Sequence, residues 1–234
     1  MSIKINNINF GYKSGFQLDI SELEINSGEI VGLVGNNGAG KTTLLKLMLD
    51  LLELKKGNIV LNGIEVKKNG EWKNDTGAFI DTSYLIPFYT PEEYFNFIGT
   101  LHGISNEEIA NKLMSYEHFF NGEILNQNKK LIRNFSKGNK IKIAVVGALL
   151  FEPKILILDE PIEGLDPTSR AVLKNILIDY NKNHQGVILI SSHDINYVAE
   201  ICSRIVILEK GKILKDIANT EDKLSEMQSY FFKD

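Results

Sequence analysis

One stretch restricts this chain more than any other: Gly35-Asn36-Asn37-Gly38-Ala39-Gly40-Lys41-Thr42. It follows the apolar run from Glu29 to Val34. It precedes a segment whose apolar residues Leu44, Leu45, Leu47, Met48, Leu51 and Leu52 recur at helical spacing. The pattern G-x-x-x-x-G-K-[S/T] between a strand and a helix is the context in which a phosphate-cradling loop forms. Glycines let backbone N–H groups approach a polyanion without side chains in the way, and the helix that follows aims its positive end at the same place. Lys41 is placed to meet β- and γ-phosphates, and Thr42 to ligate Mg²⁺. The helix is expected from Lys41 to Leu52, with Gly57 beyond its end.

The second constraint is Ile155-Leu156-Ile157-Leu158-Asp159-Glu160, a buried strand ending in two acids. Ligands of parallel-sheet proteins bind outside the carboxyl ends of the strands. Asp159 there suits the metal held by Thr42, and Glu160, one residue further, suits the orientation and deprotonation of an attacking water. His193 follows the apolar strand Val187 to Ile190 and Ser191-Ser192, again at a strand's carboxyl end and within reach of a γ-phosphate. His102, His118 and His184 read as surface residues.

The rest of the chain alternates strands and helices. Ile3, Ile5, Ile8 and Phe10, then Phe16 to Ile25, read as strands joined by a turn at Gly11 to Gly15; Asn58 to Leu61 and Ala78 to Ile80 read as further strands. Thr90-Pro91 with Glu93 makes a capping box with proline at the first helical position, and Ser105 with Glu108 repeats the box. Residues 82–139 therefore read as a helical insertion into a core formed by 1–81 and 140–234. Asp166-Pro167 starts a helix ending near Gly186, Asp194 to Cys202 is a short helix, and Ile205 to Leu208 with Lys212 to Leu214 forms a hairpin. The expected fold class is α/β: a P-loop nucleotide-binding core on a mostly parallel sheet, with an antiparallel β part and an inserted helical subdomain.

Composition narrows the setting. The 234 residues carry 26 Lys and Arg against 30 Asp and Glu, a net charge of −4. Without a basic stripe, that balance argues against a nucleic-acid partner. One cysteine, Cys202, excludes an internal disulfide and fits a reducing compartment. The most apolar stretch, Ile141 to Phe151, is interrupted by Lys142 and falls short of the roughly 18 residues a membrane span needs. A cytoplasmic protein is expected, held at the inner face of a membrane by another subunit if it acts there.

The motifs in this order resemble the nucleotide-binding subunit of an ATP-binding-cassette (ABC) transporter: Gly35 to Thr42, Phe135-Ser136-Lys137-Gly138-Asn139, Ile155 to Glu160, Gly164-Leu165-Asp166 and His193. The resemblance covers nearly the whole chain. It implies an ATPase with ATP and Mg²⁺ as cofactors, Glu160 and His193 as catalytic residues, and Asn36, Asn37, Ala39 and Thr43 beside the loop's glycines and Lys41 in ATP binding. Phe135 to Asn139 stands where the family has its LSGGQ signature, with Lys137 for the first glycine and Asn139 for the glutamine. The family's geometry implies that Ser136 and Gly138 meet the γ-phosphate held by a second subunit, and that Asp166 lies in the loop coupling the two sites. Tyr12 stands where an aromatic ring faces adenine, with Phe10 and Phe16 as competitors. Asp81 replaces a usual glutamine near the metal.

The S-K-G spelling is similar to the bacterial exporter branch that includes peptide- and antibiotic-resistance systems. The implied partners are a transmembrane permease subunit and a second nucleotide-binding subunit. The apolar segment Tyr84 to Tyr89, at the family's coupling position, is a candidate docking site for the permease. Other ATPases of the superfamily fit less well: translation factors usually carry two cassettes on one chain, and chromosome-maintenance ATPases need a long coiled coil.

Overall fold

The computed structural model describes residues 1–13 and 15–219. Residue 14 of the first turn and residues 220–234 of the expected core lie outside the described residues. β1 (Ser2–Gly11) and β2 (Gln17–Asn26) alternate buried and exposed positions and pair antiparallel; β4 (Lys56–Leu61) pairs with the other edge of β1, and β5 (Ile64–Glu65) completes that sheet. The second sheet has the order β10-β9-β3-β8-β7-β6. Its strands β3 (Ile30–Val34), β6 (Thr76–Phe79), β7 (Ile155–Asp159), β8 (Val187–Ser192) and β9 (Arg204–Glu209) run parallel; β10 (Lys212–Ala218) returns antiparallel.

Strands β3, β7 and β8 are buried at every position, as a sheet covered on both faces requires. Their side chains divide by the period of two. Val31, Leu33, Ile155, Ile157, Val187 and Leu189 pack with α1 (Lys41–Met48) and the antiparallel sheet. Val34, Leu156, Leu158, Ile188 and Ile190 pack on the opposite face with the remaining helices. These are α2 (Pro91–Leu101), α3 (Asn106–Ser115), α4 (Glu117–Phe120), α5 (Lys137–Leu149), α6 (Pro167–His184) and α7 (Ile195–Ile201). From Ile141 to Leu149, α5 is buried at every residue. It crosses β6 so closely that a β-carbon on Gly77 would stand 2.2 Å from the Ala148 carbonyl oxygen.

The helical stretch between β6 and α5 is capped much as its sequence implies. Thr90 Oγ1 accepts from the Glu93 N–H while Glu93 accepts from the Thr90 N–H. At α3 only half of the expected box forms: Ser105 Oγ accepts from the Glu108 N–H, and the Glu108 carboxylate instead faces Lys112. Phe95, Ile109, Phe119 and Phe120 from these helices join the same apolar cluster as Leu156 and Ile188. The insertion thus shares its core with the sheet through α5.

Two local expectations change. α1 stops at Met48, four residues short of Leu52. Asp50 adopts a left-handed φ of 54°, the Leu51 N–H donates to the Lys46 carbonyl (2.8 Å) and the Asp50 N–H to the Leu47 carbonyl (3.3 Å). This is a Schellman ending, and it tips the exposed Leu51 out of the helix. His102 is half-buried and stacks on Phe151 with ring centroids 3.6 Å apart; burial lowers its pKa.

Candidate functional site

The carboxyl ends of four neighbouring strands converge at one edge of the parallel sheet. The loop from Gly35 leaves β3, Asp159 ends β7 with Glu160 just beyond it, Ser191 and Ser192 end β8 with His193 next, and Asp81 follows β6. The loop is wound tightly against its surroundings. A β-carbon on Gly35 would lie 2.3 Å from the Leu208 carbonyl oxygen, and one on Gly40, whose φ is 110°, would lie 2.8 Å from Phe16 Cζ. The Ala39 N–H donates back to the Asn36 carbonyl, and the Ala39 carbonyl accepts from the Gly211 N–H. Only glycine fits at positions 35 and 40, so the backbone of the loop is set by packing.

Lys41, at the first position of α1, is 6% exposed. Its Nζ donates to the Gly35 carbonyl at 2.6 Å and stands 3.3 Å from Glu160 Oε1. The other Glu160 oxygen lies 2.9 Å from His193 Nδ1. Glu160 has a left-handed φ of 47°, and its N–H donates to both the Ser191 carbonyl and Ser191 Oγ, at 3.2 and 3.0 Å. The parallel register sets Asp159 opposite Ser191. Ser191 Oγ donates to Asp159 Oδ1, and the Thr42 hydroxyl bonds the same carboxylate. Burial, the larger effect, raises the Asp159 pKa against these bonds. A serine at the end of one strand thus holds both acids of the next; Ser191 was not singled out from sequence.

Two cavities flank this cluster. One, of about 480 Å³, is lined by Tyr12, Phe16, residues 36–43, Glu160 and Glu163. The other, of about 430 Å³, is lined by Thr42, Lys46, Asp81, Lys137, Asp159, Glu160 and Glu163. Asp81 Oδ1 accepts from the Ser83 N–H at 2.6 Å, and this bond chiefly holds its carboxyl below the ordinary range. Among the described residues no cluster of three or more His, Cys, Asp or Glu side chains is arranged for a metal. The second cavity instead offers the Thr42 hydroxyl with the carboxylates Asp159 and Asp81. Such a sparse oxygen set fits Mg²⁺, which takes its other ligands from water and phosphate. Tyr12, 41% exposed, meets Phe10 edge-on at 4.9 Å and Phe16 at 6.3 Å. Tyr12 and Phe16 both line the first cavity, so the aromatic assignment stays shared between them.

Ser136, Gly138 and Asp166 are not brought to Lys41. They line a third cavity, of about 640 Å³, which shares no lining residue with the first. Ser136 caps α5 by accepting from the Asn139 N–H, and Asp166 caps α6 by accepting from the Ser169 N–H and hydroxyl. Hydrogen bonds from Ser169 lower the Asp166 pKa. Tyr84 and Phe88 are 55% and 66% exposed, whereas Leu85 is buried and Tyr89 packs against the core and Phe97. Half of the apolar segment after Asp81 therefore faces outward.

The family model described as ABC transporter matches residues 18–163. The chain is similar to the uncharacterized ABC transporter ATP-binding protein YhaQ of Bacillus subtilis, 35% identical over 92% of this chain and 69% of that one. It is also similar to the ABC transporter ATP-binding protein NatA of the same organism, 34% identical over 84% of this chain and 79% of that one. Among solved structures it is similar to an ATP-binding subunit of an ABC transporter, with a TM-score of 0.85 and 27% identity over 99% of this chain and 95% of that one. It is similar as well to cbiO1 from Clostridium perfringens, part of the ABC transporter complex cbiONQ, with a TM-score of 0.77 and 25% identity over 97% and 92% of the two chains.

Proposed function

The chain belongs to the ABC transporter family as an ATP-binding subunit and ATPase, and from that premise we propose how its residues divide the work. The observation that carries the proposal is the buried Lys41 beside Glu160, next to the Thr42–Asp159 pair. Lys41 and the amides of Gly38 to Thr43, with Asn36 and Asn37 along the loop, hold the phosphates. Tyr12, beside Phe16, covers the adenine from the rim of the first cavity. Thr42 and Asp159 hold Mg²⁺, with Asp81 beside them. When bound, the metal supplies charge for the developing phosphate oxygens. Glu160 orients the attacking water and takes its proton, while His193 keeps the carboxylate aimed and faces the γ-phosphate.

Ser136, Gly138 and Asp166 serve a second copy of the chain. Ser136 and Asp166 cap helices, and Gly138 sits in the first turn of α5, on a face apart from the nucleotide cavity, as groups that complete a neighbour's site must be. Two copies then enclose two nucleotides. A transmembrane permease docks over the exposed Tyr84 and Phe88 and holds the subunit at the cytoplasmic face of the membrane. In support, no helix among the described residues is long and apolar enough to cross a membrane, and cbiO1 is by its description part of a transporter complex. The Ser136-Lys137-Gly138 spelling supports export of a peptide, antibiotic or lipid-like substrate. The test is equilibrium ATP binding by Lys41→Ala together with steady-state hydrolysis. Loss of both supports the proposal; wild-type values for both would reject it.

A further inference from the structure

We infer that Lys137 and Glu163 are a positioning pair that ties the start of α5 to the turn running from Glu160 to Asp166. The inference rests on the composite-site reading above. Lys137, which stands where the signature resemblance would have a glycine, places Nζ 2.6 Å from Glu163 Oε1. Its aliphatic stem crosses Gly164, where a β-carbon would lie 3.3 Å from Lys137 Cδ. Beneath it, a β-carbon on Gly138 would lie 2.9 Å from the Gly164 carbonyl oxygen. The two segments thus meet backbone to backbone, and the ion pair fastens them from outside.

The turn passes that constraint to the site. The Glu163 N–H donates to the Glu160 carbonyl and the Leu165 N–H to the Ile162 carbonyl, each at 3.1 Å. Arg170 Nε donates to the Leu165 carbonyl, also at 3.1 Å. Through these bonds the pair relates the Glu160 backbone on one cavity to Ser136 and Asp166 on the other face. Glu163 lines both nucleotide-side cavities, and Lys137 lines the metal-side cavity and the Ser136 cavity. The pair stands where the two halves of a composite site join within one chain.

Uncharged near-isosteres test it in the full chain: Lys137→Met, Glu163→Gln, the double variant, and the exchange Lys137→Glu with Glu163→Lys. Each single substitution should lower kcat by about two- to fivefold, the size of an exposed ion pair, with KM for ATP nearly unchanged. The double variant should be no slower than the slower single, and the exchange should recover most of the loss. Additive losses, no recovery on exchange, or a rise in KM with kcat intact would overturn the pairing. A kcat loss that tracks a lower unfolding temperature would also overturn it, by assigning the effect to folding. Ser136→Arg measured alongside separates the two levels. Turnover surviving in that variant would remove the composite site and the pair's role with it. Turnover lost there, with Lys137→Met and Glu163→Gln at wild-type kcat, would remove the pair alone.

Discussion

Lys41 Nζ lies 3.3 Å from Glu160 Oε1, so the cation of the glycine-rich loop and the acid just beyond β7 already touch across the cavity floor. The contact joins residues far apart in the chain, and it depends on β3 and β7 both flanking β8 in the parallel sheet. Lys41 is also fixed by the Gly35 carbonyl, so its ammonium points along the loop rather than into solvent. Lys41→Ala removes a charged hydrogen-bond donor and should weaken ATP binding by about 10- to 100-fold. Titration with a fluorescent ATP analogue checks this, and an unchanged Kd would remove Lys41 from the phosphates.

Hydrolysis should require two copies. Ser136 and Gly138 line a cavity apart from Lys41, so a single chain lacks part of the proposed site. Specific activity should rise with protein concentration, and Ser136→Arg should abolish turnover while leaving ATP binding by the single chain. Concentration-independent activity from a strict monomer would count against the arrangement.

Asp81 is a test of the proposed metal site. It lines one cavity with Thr42 and Asp159 but spends one oxygen on the Ser83 N–H. Asp81→Ala should raise the Mg²⁺ concentration for half-maximal activity, and Asp81→Gln should recover part of it. Identical Mg²⁺ titrations in all three proteins would leave Asp81 as a cap for the turn at Thr82–Tyr84.

The segment after Asp81 separates docking from folding residue by residue. Tyr84 and Phe88 are exposed, Phe88 lying under the Arg133 guanidinium at 5.0 Å, while Leu85 is buried. Replacing Tyr84 and Phe88 with serine should leave the ATPase of the isolated subunit intact and cost about 2 kcal/mol or more of association with the permease. Leu85→Ser should instead lower the unfolding temperature. Intact co-purification of the double serine variant would move the interface elsewhere.

How much of this was legible in the sequence depended on how local the cause was. The loop, the buried strand ends and the helix starts at Thr90 and Asp166 were legible because each is set within a few residues. The end of α1 was not: Leu51 and Leu52 continue the helical spacing, and the stop lies in the left-handed backbone of Asp50. Ser191 was missed for a different reason. Its hold on Asp159 comes from the register of β7 against β8, which no local pattern encodes. The Lys137–Glu163 bond likewise joins two ordinary surface charges, one at the start of a helix and one in a distant turn. The burial of Tyr84 to Tyr89 was half legible, since the segment's apolar character does not say which rings turn inward.

The proposed division of labour gives Glu160 the chemistry and the loop the binding. Glu160→Gln tests it most directly, by ATP affinity and single-turnover hydrolysis in one preparation. The substitution keeps the side chain's size and an oxygen for His193 but removes the base. Affinity should stay within about threefold of wild type while hydrolysis falls by roughly 10²–10⁴. Wild-type hydrolysis by Glu160→Gln would contradict that division, because no water-activating role would then remain for this residue.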